Sequence, residues 1–272
     1  MLDTKTKVIV YTLLTIGALL MVFPFVWSLL SSFKPANEIL TLEPQLLPSQ
    51  WTLDNYRQVL DTGHFGAWYK NSLIVAFITT ISVCFFSSLA GYSLAKYDYA
   101  GKDIIFLTIL STMMIPMEML VIPWFIMASY FGAVDTYMGI MFPGLISAFG
   151  VFMMKQFMEG IPDALIEAAR IDGASEFKIF YRVILPNVKP ALASLAIFTF
   201  IASWDAFLWP LIVTTQDTMK TLPVGLQSFA GAQGIQYHLI IAAANLVIIP
   251  VLIIFLVLQR QIIKGIATSG IK

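Results

Sequence analysis

Apolar residues fall into six long runs along this chain, separated by shorter polar segments. A helix of about 17 to 25 apolar residues is long enough to cross the hydrocarbon core of a bilayer. Lipid offers the backbone no hydrogen-bond partner, so each crossing segment must be a helix. The pattern predicts an all-α membrane protein with about six transmembrane helices in a single domain, 1–272. The predicted spans are residues 8–30, 71–95, 104–127, 138–154, 191–213 and 239–258.

Prolines interrupt several of these runs. They stand at positions 116, 123, 143 and 250. A proline inside a helix removes one backbone hydrogen bond and clashes with the preceding turn, so we expect kinks at these positions.

The composition agrees with a membrane class. Apolar residues make up 58% of the chain and charged residues 12%, whereas soluble domains carry about 25% charged residues. The net charge is zero, which gives no indication of a nucleic-acid partner. Cys84 is the single cysteine, so an intrachain disulfide and a cysteine-built metal site are excluded, and we expect it in the core.

Lysine and arginine are distributed unevenly between the two sides of the predicted helices. Cationic loops stay in the cytoplasm, so this bias sets the orientation. It predicts that both termini and the charged loop 155–190 are cytoplasmic. The first run is too long for a signal peptide, and we expect a retained anchor. The cytoplasmic side holds twelve of the 16 residues: Lys5, Lys7, Lys96, Lys102, Lys155, Arg170, Lys178, Arg182, Lys189, Arg260, Lys264 and Lys272. The external side holds Lys34, Arg57, Lys70 and Lys220.

Two acidic residues, Glu118 and Asp205, fall inside predicted spans. An ionised acid at mid-bilayer costs roughly 2.5–3.5 kcal/mol on insertion scales, so it should face the bundle interior or a wet cavity. One interpretation is the polar wall of a substrate pathway, with Trp204 and Trp209 as rings that stack on sugar. The alternative is a hydrogen bond between helices that fixes packing, with Trp209 in the aromatic belt of the membrane interface.

The loop 155–190 reads as two short helices joined by a turn. Pro162 suits a first helical position, and Gly173 supplies a left-handed helix stop. Ser175 is placed to cap the second helix, whose spacing predicts one apolar face. The predicted face comprises Phe177, Phe180, Tyr181 and Ile184. Such a helix can pack on its own bundle or dock in a partner, and its mixed charges make a lipid-surface role the weaker alternative.

The same loop resembles the EAA loop of ABC importer permeases. The match rests on Glu167-Ala168-Ala169, then Asp172-Gly173-Ala174, then Leu185-Pro186 and Pro190, in this order and spacing. The resemblance implies a type I ABC importer permease fold with a cytoplasmic coupling helix. In that family this helix sits in a cleft of an ATP-binding subunit. The residues implied to carry the contact are Glu167, Ala168, Ala169, Asp172 and Gly173.

Other segments resemble the carbohydrate branch of that family, the MalG-like permeases. They are Phe25–Pro35, Trp51–Tyr56, Asn71-Ser72-Leu73, Trp204–Pro210 and Thr221–Leu226. Asp205 is a departure, because an asparagine is expected there. The external loops 31–70 and 214–238 are implied to face an extracytoplasmic solute-binding protein. Its contact loop would use Gln227, Gly231, Gln233 and Gly234; a flexible connector is the alternative.

The chain has no Gly-x4-Gly-Lys-[Ser/Thr] sequence, nucleophile–base pair or metal-spaced cluster. We expect a translocation subunit, not an enzyme, with no cofactor of its own. The resemblance implies two ATP-binding subunits that hold ATP and Mg, a second homologous permease, membrane lipid around the bundle, and a bacterial or archaeal inner membrane. Carbohydrate import by ATP-driven alternating access is the expected function. A non-sugar ABC permease and an ion-coupled secondary transporter are the alternatives.

Overall fold

A computed structural model describes residues 3–41, 43, 45–61, 63–230 and 234–269. These residues form helices and connecting segments, and no strand occurs among them. The prediction of an all-α protein is therefore confirmed. The α-helices are α1 Thr4–Ser31, α2 Asp54–Asp61, α3 Phe65–Lys96, α4 Lys102–Thr112, α5 Met117–Tyr130, α6 Tyr137–Met141, α7 Ala148–Glu159, α8 Asp163–Ile171, α9 Glu176–Ile179, α10 Leu185–Asn187, α11 Lys189–Trp204, α12 Leu208–Val213, α13 Leu222–Leu226 and α14 Tyr237–Ser269.

Three helices are long and apolar enough to cross a membrane alone: Thr4–Ser31, Phe65–Lys96 and Tyr237–Val257. Three bent pairs meet the same test together. They are α4 with α5 at 96°, Tyr137–Gly144 with α7 at 48°, and Glu176–Asn187 with α11 at 81°. The described chain thus reaches six spans if each bent pair is one span.

The helix breaks fall partly where prolines predict them. Pro116 precedes α5 directly, and Pro143 lies in the 3₁₀ turn Phe142–Gly144 before α7. Pro123 and Pro250 stay inside continuous helices. The predicted span 191–213 is interrupted, because α11 ends at Trp204 and α12 begins at Leu208.

The Cα positions divide the chain into two compact units, so the single predicted domain 1–272 stays a prediction. The first unit comprises Met1–Gly66 and Gly225–Ile249. Apolar residues cover all sides of α1 and are almost entirely exposed there, as expected of a lipid-facing helix. Asn245 of α14 donates a hydrogen bond to the carbonyl oxygen of Ser28, at 3.2 Å.

The second unit comprises Ala67–Val224 and Pro250–Lys272. Its core joins α3, α7, the loop helices α8–α10 and α11. The buried members are Val83, Tyr92, Met154, Met158, Ile161, Ile166, Ile179, Phe180, Ile184, Val188, Ala191 and Leu195. Cys84 packs against this cluster, which confirms the expectation of a core residue.

The helices α3 and α7 cross with almost no space between their backbones. A Cβ at Gly91 would lie 2.8 Å from Cβ of Met154 and 2.9 Å from the backbone nitrogen of Lys155. A Cβ at Gly150 would lie 2.4 Å from Oγ of Ser87. Ser87 and Gly91 are four residues apart, the spacing with which small residues let membrane helices approach closely.

We predict that Gly91→Ala destabilises the protein by about 1–3 kcal/mol, because backbone atoms of α7 cannot move aside for the added methyl group. The midpoint of thermal unfolding in detergent measures the effect. Gly17→Ala is the matched control, since nothing lies within 4 Å of a Cβ at Gly17. Equal midpoints for the two variants would contradict the close crossing.

Candidate functional site

The first candidate site is the helix α8 in the loop between α7 and α11. Its N-cap residue is Pro162, one position before the predicted place, and the helix begins at Asp163. Ile166 is 3% exposed and anchors one face in the core of the second unit. Leu165 and Ile171 point outward, and Ile171 is 86% exposed. The helix therefore has one face held by its own bundle and one apolar face left open.

A Schellman motif ends α8. Gly173 has φ +73°, so the predicted left-handed stop is confirmed. Its N–H donates to the carbonyl oxygen of Arg170, and the N–H of Ala174 donates to that of Ala169, both at 3.0 Å. These two bonds satisfy carbonyl groups that the helix end leaves free, which fixes the direction of the following chain.

The second loop helix differs from the prediction. Ser175 occupies the N-cap position of α9, but its side chain makes no capping hydrogen bond. Residues Phe180–Ile184 form a π-helical turn. Pro186 explains this turn, because it has no N–H to donate to the carbonyl group four residues earlier. The wider turn changes the register of the helix faces.

The predicted apolar face is only partly correct. Ile179, Phe180 and Ile184 are buried, whereas Phe177 and Tyr181 are mostly exposed. Phe177 and Tyr181 thus join the open apolar surface next to α8 instead of packing on the bundle.

Glu176 accepts hydrogen bonds both from the loop and from the end of α3. Its carboxylate accepts from Nε of Arg170 at 2.8 Å and from the hydroxyl groups of Tyr97 and Tyr92. The bond from Arg170, then that from Tyr97, lowers the pKa of Glu176. Nearby, Lys96 donates to the carbonyl oxygen of Ile161 and, at 2.7 Å, to Asp163. The end of α3 therefore holds α8 at its N-terminus and just beyond its C-terminus.

The five residues predicted to contact an ATP-binding subunit lie on α8 and its stop. Four of them are exposed: Glu167, Ala168, Asp172 and Gly173. Ala169 is half-buried and packs against the core of its own unit. The sequence did not reveal the residues that hold this surface in place. Lys96, Tyr97 and Glu176 do so through hydrogen bonds between segments that are distant in sequence.

The second candidate site is a cavity of 410 Å³ within the second unit. Helix breaks surround it, with Met117 at the start of α5, Pro143–Ser147 before α7 and Ala206 after α11. Backbone that leaves the helix at membrane depth is tolerated where it lines a cavity or is buried in protein. The lining is mainly apolar and aromatic, with Trp124 and Trp209 in the wall and hydroxyl groups from Thr79, Ser147, Thr199 and Ser203.

Of the four predicted pathway residues, Trp209 lines this cavity. Its Nε1 donates to the carbonyl oxygens of Gly139 and Ile140, so the indole is fixed in place. Trp204 is 0% exposed and stacks on Phe200, a position that favours the packing interpretation. Neither Glu118 nor Asp205 belongs to the lining.

Both acids lie next to the cavity in sequence. Glu118 is exposed in the first turn of α5, beside the lining residue Met117. Asp205 is exposed as the C-cap residue of α11, beside the lining residue Ala206. Each acid therefore stands at a helix break, where the backbone is already irregular.

A third cluster fixes the segment that follows α12. Asn71 of α3 donates to the carbonyl oxygens of Thr218 and Lys220 at 2.8 and 2.9 Å, and accepts from the hydroxyl group of Tyr137. Trp68 donates to the carbonyl oxygen of Asp217. These bonds give a physical reason for Asn71 in the Asn71-Ser72-Leu73 segment.

Asp135 holds the start of the same segment. It has φ +56°, a left-handed conformation that aspartate tolerates better than most residues. Its carboxylate accepts from the backbone N–H groups of Thr215 and Gln216 at 2.6 and 2.9 Å. Partial burial by itself raises the pKa of Asp135, but these bonds outweigh burial and lower it overall.

The predicted binding-protein loop lies in the first unit. Gln227 is exposed in the 3₁₀ turn Gln227–Ala230, and Gly234 has φ +100°. Gly231 and Gln233 lie outside the described residues. The contact of this loop with a binding protein stays a prediction.

Helices able to span a membrane, a cavity at their breaks and an exposed helix on a loop are together typical of a membrane transport subunit. The chain belongs to the family of binding-protein-dependent transport system inner membrane components, whose model matches residues 85–268. It is a permease subunit of an ABC transporter and not an enzyme, as predicted.

Curated relatives match over nearly the whole chain. The arabinooligosaccharides transport system permease protein AraQ of Bacillus subtilis is 39% identical, covering 94% of this chain and 92% of the relative. The diacetylchitobiose uptake system permease protein NgcG of Streptomyces coelicolor is 31% identical, covering 96% and 87%. The sn-glycerol-3-phosphate permease protein UgpE of Yersinia pestis is 30% identical, covering 95% of each.

A solved structure matches the fold. It is a bacterial ABC transporter involved in the import of the acidic polysaccharide alginate, with a TM-score of 0.82, 25% identity, and coverage of 96% of this chain and 98% of that chain. The predicted fold class is confirmed. A second structure of the alginate transporter, in complex with an alginate pentasaccharide-bound periplasmic protein, has a TM-score of 0.69 at 16% identity, covering 95% of each chain.

We predict that Gly173→Ala strains the stop of α8 by about 1–2 kcal/mol, because an alanine at positive φ meets its own backbone. Hydrogen exchange at the amides of Gly173 and Ala174 measures the loosening, and both should exchange at least fivefold faster. Gly160→Ala is the control, since Gly160 has φ −72° and a Cβ there would make only an ordinary contact, 3.6 Å from the carbonyl oxygen of Phe157. Unchanged protection in Gly173→Ala would contradict the motif.

Proposed function

We propose that this chain is one of two permeases of an importer that moves carbohydrate into the cell by ATP-driven alternating access. The observation that carries the proposal is α8, a helix fixed at both ends that presents an open surface on a loop between two spans. Binding of ATP closes two partner ATP-binding subunits, which hold ATP and Mg. Their motion carries α8 and turns the bundle from inward-facing to outward-facing.

The surface of α8 supports docking to a protein partner. Ile171, Phe177 and Tyr181 are large apolar side chains exposed together with the small residue Ala168. A surface whose backbone is already ordered loses less conformational entropy on binding, so it docks more tightly for the same contact area. The Schellman stop at Gly173 and the bonds to Glu176 supply that order.

Carbohydrate is the proposed substrate class. Support comes from the names of the relatives, which include arabinooligosaccharide and diacetylchitobiose systems. The cavity adds a chemical argument, since indole faces and hydroxyl groups are suited to sugar rings. No lysine or arginine lines it, and the nearest charges in sequence are those of Glu118 and Asp205. A neutral oligosaccharide fits this environment better than an anionic one.

The partners follow from the same proposal. A second homologous permease completes the pathway, and an extracytoplasmic solute-binding protein delivers the sugar to the external segments. The positive-inside bias supports an inner-membrane orientation with both termini cytoplasmic. Lipid surrounds α1, which from Val8 onward exposes apolar side chains on all sides.

The secondary-transporter alternative is less well supported. Ion coupling needs a titrating group in the pathway, and the two intramembrane acids stand beside the cavity without lining it. It would also leave the ordered surface of α8 without a role. An ABC permease for a non-sugar solute is the remaining alternative, and uptake assays distinguish it.

Replacing Ile171 by Asp is expected to weaken association with the ATP-binding subunits at least tenfold. The side chain is 86% exposed, so the change should leave folding intact while it places a charge in an apolar contact. Co-purification from membranes and sugar uptake measure the loss.

Ile171→Leu is the matched control and should retain both association and uptake. If no ATP-binding subunit purifies with the wild-type chain, or if Ile171→Asp assembles normally, α8 is not the coupling helix.

Ser203→Phe is expected to lower uptake of a labelled arabino-oligosaccharide at least tenfold, because the ring fills the cavity beside Ala206. Association with the ATP-binding subunits should persist, since α8 is untouched. Ser203→Ala keeps the cavity open and should stay within about twofold of wild type.

A charged competitor tests the substrate class in the same assay. An excess of unlabelled oligogalacturonide should not inhibit uptake in the wild-type importer, whereas unlabelled neutral oligosaccharide should.

Normal uptake by Ser203→Phe would exclude the cavity from the pathway.

A further inference from the structure

One helix reaches both of the loops that the proposed function assigns to partners. The helix α3 runs without interruption for 32 residues, Phe65–Lys96. At 1.5 Å per residue it is about 48 Å long, which exceeds a hydrocarbon core of about 30 Å. The three bent pairs turn through 48° to 96° at their breaks, so α3 is the straighter path across the second unit.

The external end of α3 holds the segment Thr215–Leu222 through backbone atoms. The side chains of Trp68 and Asn71 donate to three carbonyl oxygens of the segment. The hydroxyl group of Ser72 accepts from the N–H of Leu222 at 2.7 Å. Because these contacts use the backbone, the side chains of residues 215–218 remain exposed while their position is fixed.

The cytoplasmic end of α3 holds the loop 155–190, which contains α8 and is called the coupling loop here, in a similar way. Tyr92 and Tyr97 donate to Glu176, and Lys96 donates to Asp163 and the carbonyl oxygen of Ile161. Both bonds of Lys96 are made at the start of α8, and its side chain is only 5% exposed. A displacement of α3 therefore moves both ends of α8.

Between the two ends, α3 has little freedom to bend or slide against α7. Backbone and Cβ atoms of α7 lie against Gly91, and Ser87 lies against Gly150. Close-packed interfaces of this kind respond to strain by shifting between discrete arrangements instead of deforming gradually.

We propose that α3 is a rigid strut that couples the external segment Thr215–Leu222 to α8, with Asn71 and Tyr97 as positioning residues at its two ends. The inference rests on the proposed function. Docking of the solute-binding protein against the external segment changes the position of α3, and α3 transmits the change to the ATP-binding subunits. The competing view is that each end only stabilises its own loop.

The test uses the purified importer in lipid nanodiscs, with its ATP-binding subunits, second permease and binding protein, and an arabino-oligosaccharide as the probe sugar. Ile81 lies midway along α3 and is 66% exposed. Ile81→Pro removes a backbone hydrogen bond in the middle of α3 and leaves the residues at both ends unchanged. Stimulation of ATP hydrolysis by loaded binding protein should fall at least fivefold, while hydrolysis without binding protein stays within twofold. Ile81→Ala is the control and should be stimulated normally.

A double-mutant cycle tests the two ends together. Asn71→Ala and Tyr97→Phe should each lower stimulation. If they act through one strut, stimulation of ATP hydrolysis in the double variant should be little lower than in the more strongly impaired single variant. Effects that multiply would show two independent loops and overturn the proposal, and this cycle decides the matter if Ile81→Pro does not assemble.

Failure of the strut and failure of the proposed function give different results. Full stimulation in both the wild type and Ile81→Pro overturns the strut and leaves the permease function standing. Absence of any stimulation in the wild-type importer overturns both.

Discussion

The contact between α3 and α7 at Gly91 is the constraint on which the second unit depends. Helices in lipid gain no hydrophobic driving force from association, so close packing has to supply it. Glycine at 91 and at 150 lets the backbones approach until Met154 and Ser87 fill the gap. That approach places Met154 and Met158 in the core onto which the coupling loop folds.

The coupling loop is stable because it combines this apolar anchor with a polar one. Ile166, Ile179 and Ile184 insert into the core, and Glu176 gathers Arg170 and two tyrosines at the surface. The apolar contacts fix how deep the loop sits, whereas the directional hydrogen bonds fix its rotation. Together the two kinds of contact keep α8 from turning in place.

Much of this organisation follows from the sequence. The number of apolar runs predicts the helices, and the glycine at 173 predicts the stop of α8, because each depends on local chemistry. The π-helical turn at Phe180–Ile184 was missed, although Pro186 was a signal for it. The hydrogen bonds to Asn71, Asp135 and Glu176 were not predictable. Most of them join residues that are distant in sequence, and the bond between Arg170 and Glu176 depends on which of several nearby charged side chains pair. Trp204 and Trp209 are both buried, but only Trp209 lines the cavity, and this difference also depends on contacts between distant residues.

Broken and continuous helices have complementary roles in such a bundle. A break leaves backbone groups without helical partners, and three breaks of the second unit lie around the cavity. A continuous helix cannot change its angle internally, so it carries displacement over its full length. The second unit contains both kinds side by side, with α3 contributing Val75, Thr79 and Val83 to the cavity wall. Under the proposed strut, motion of α3 would change the cavity and the loops at its two ends together.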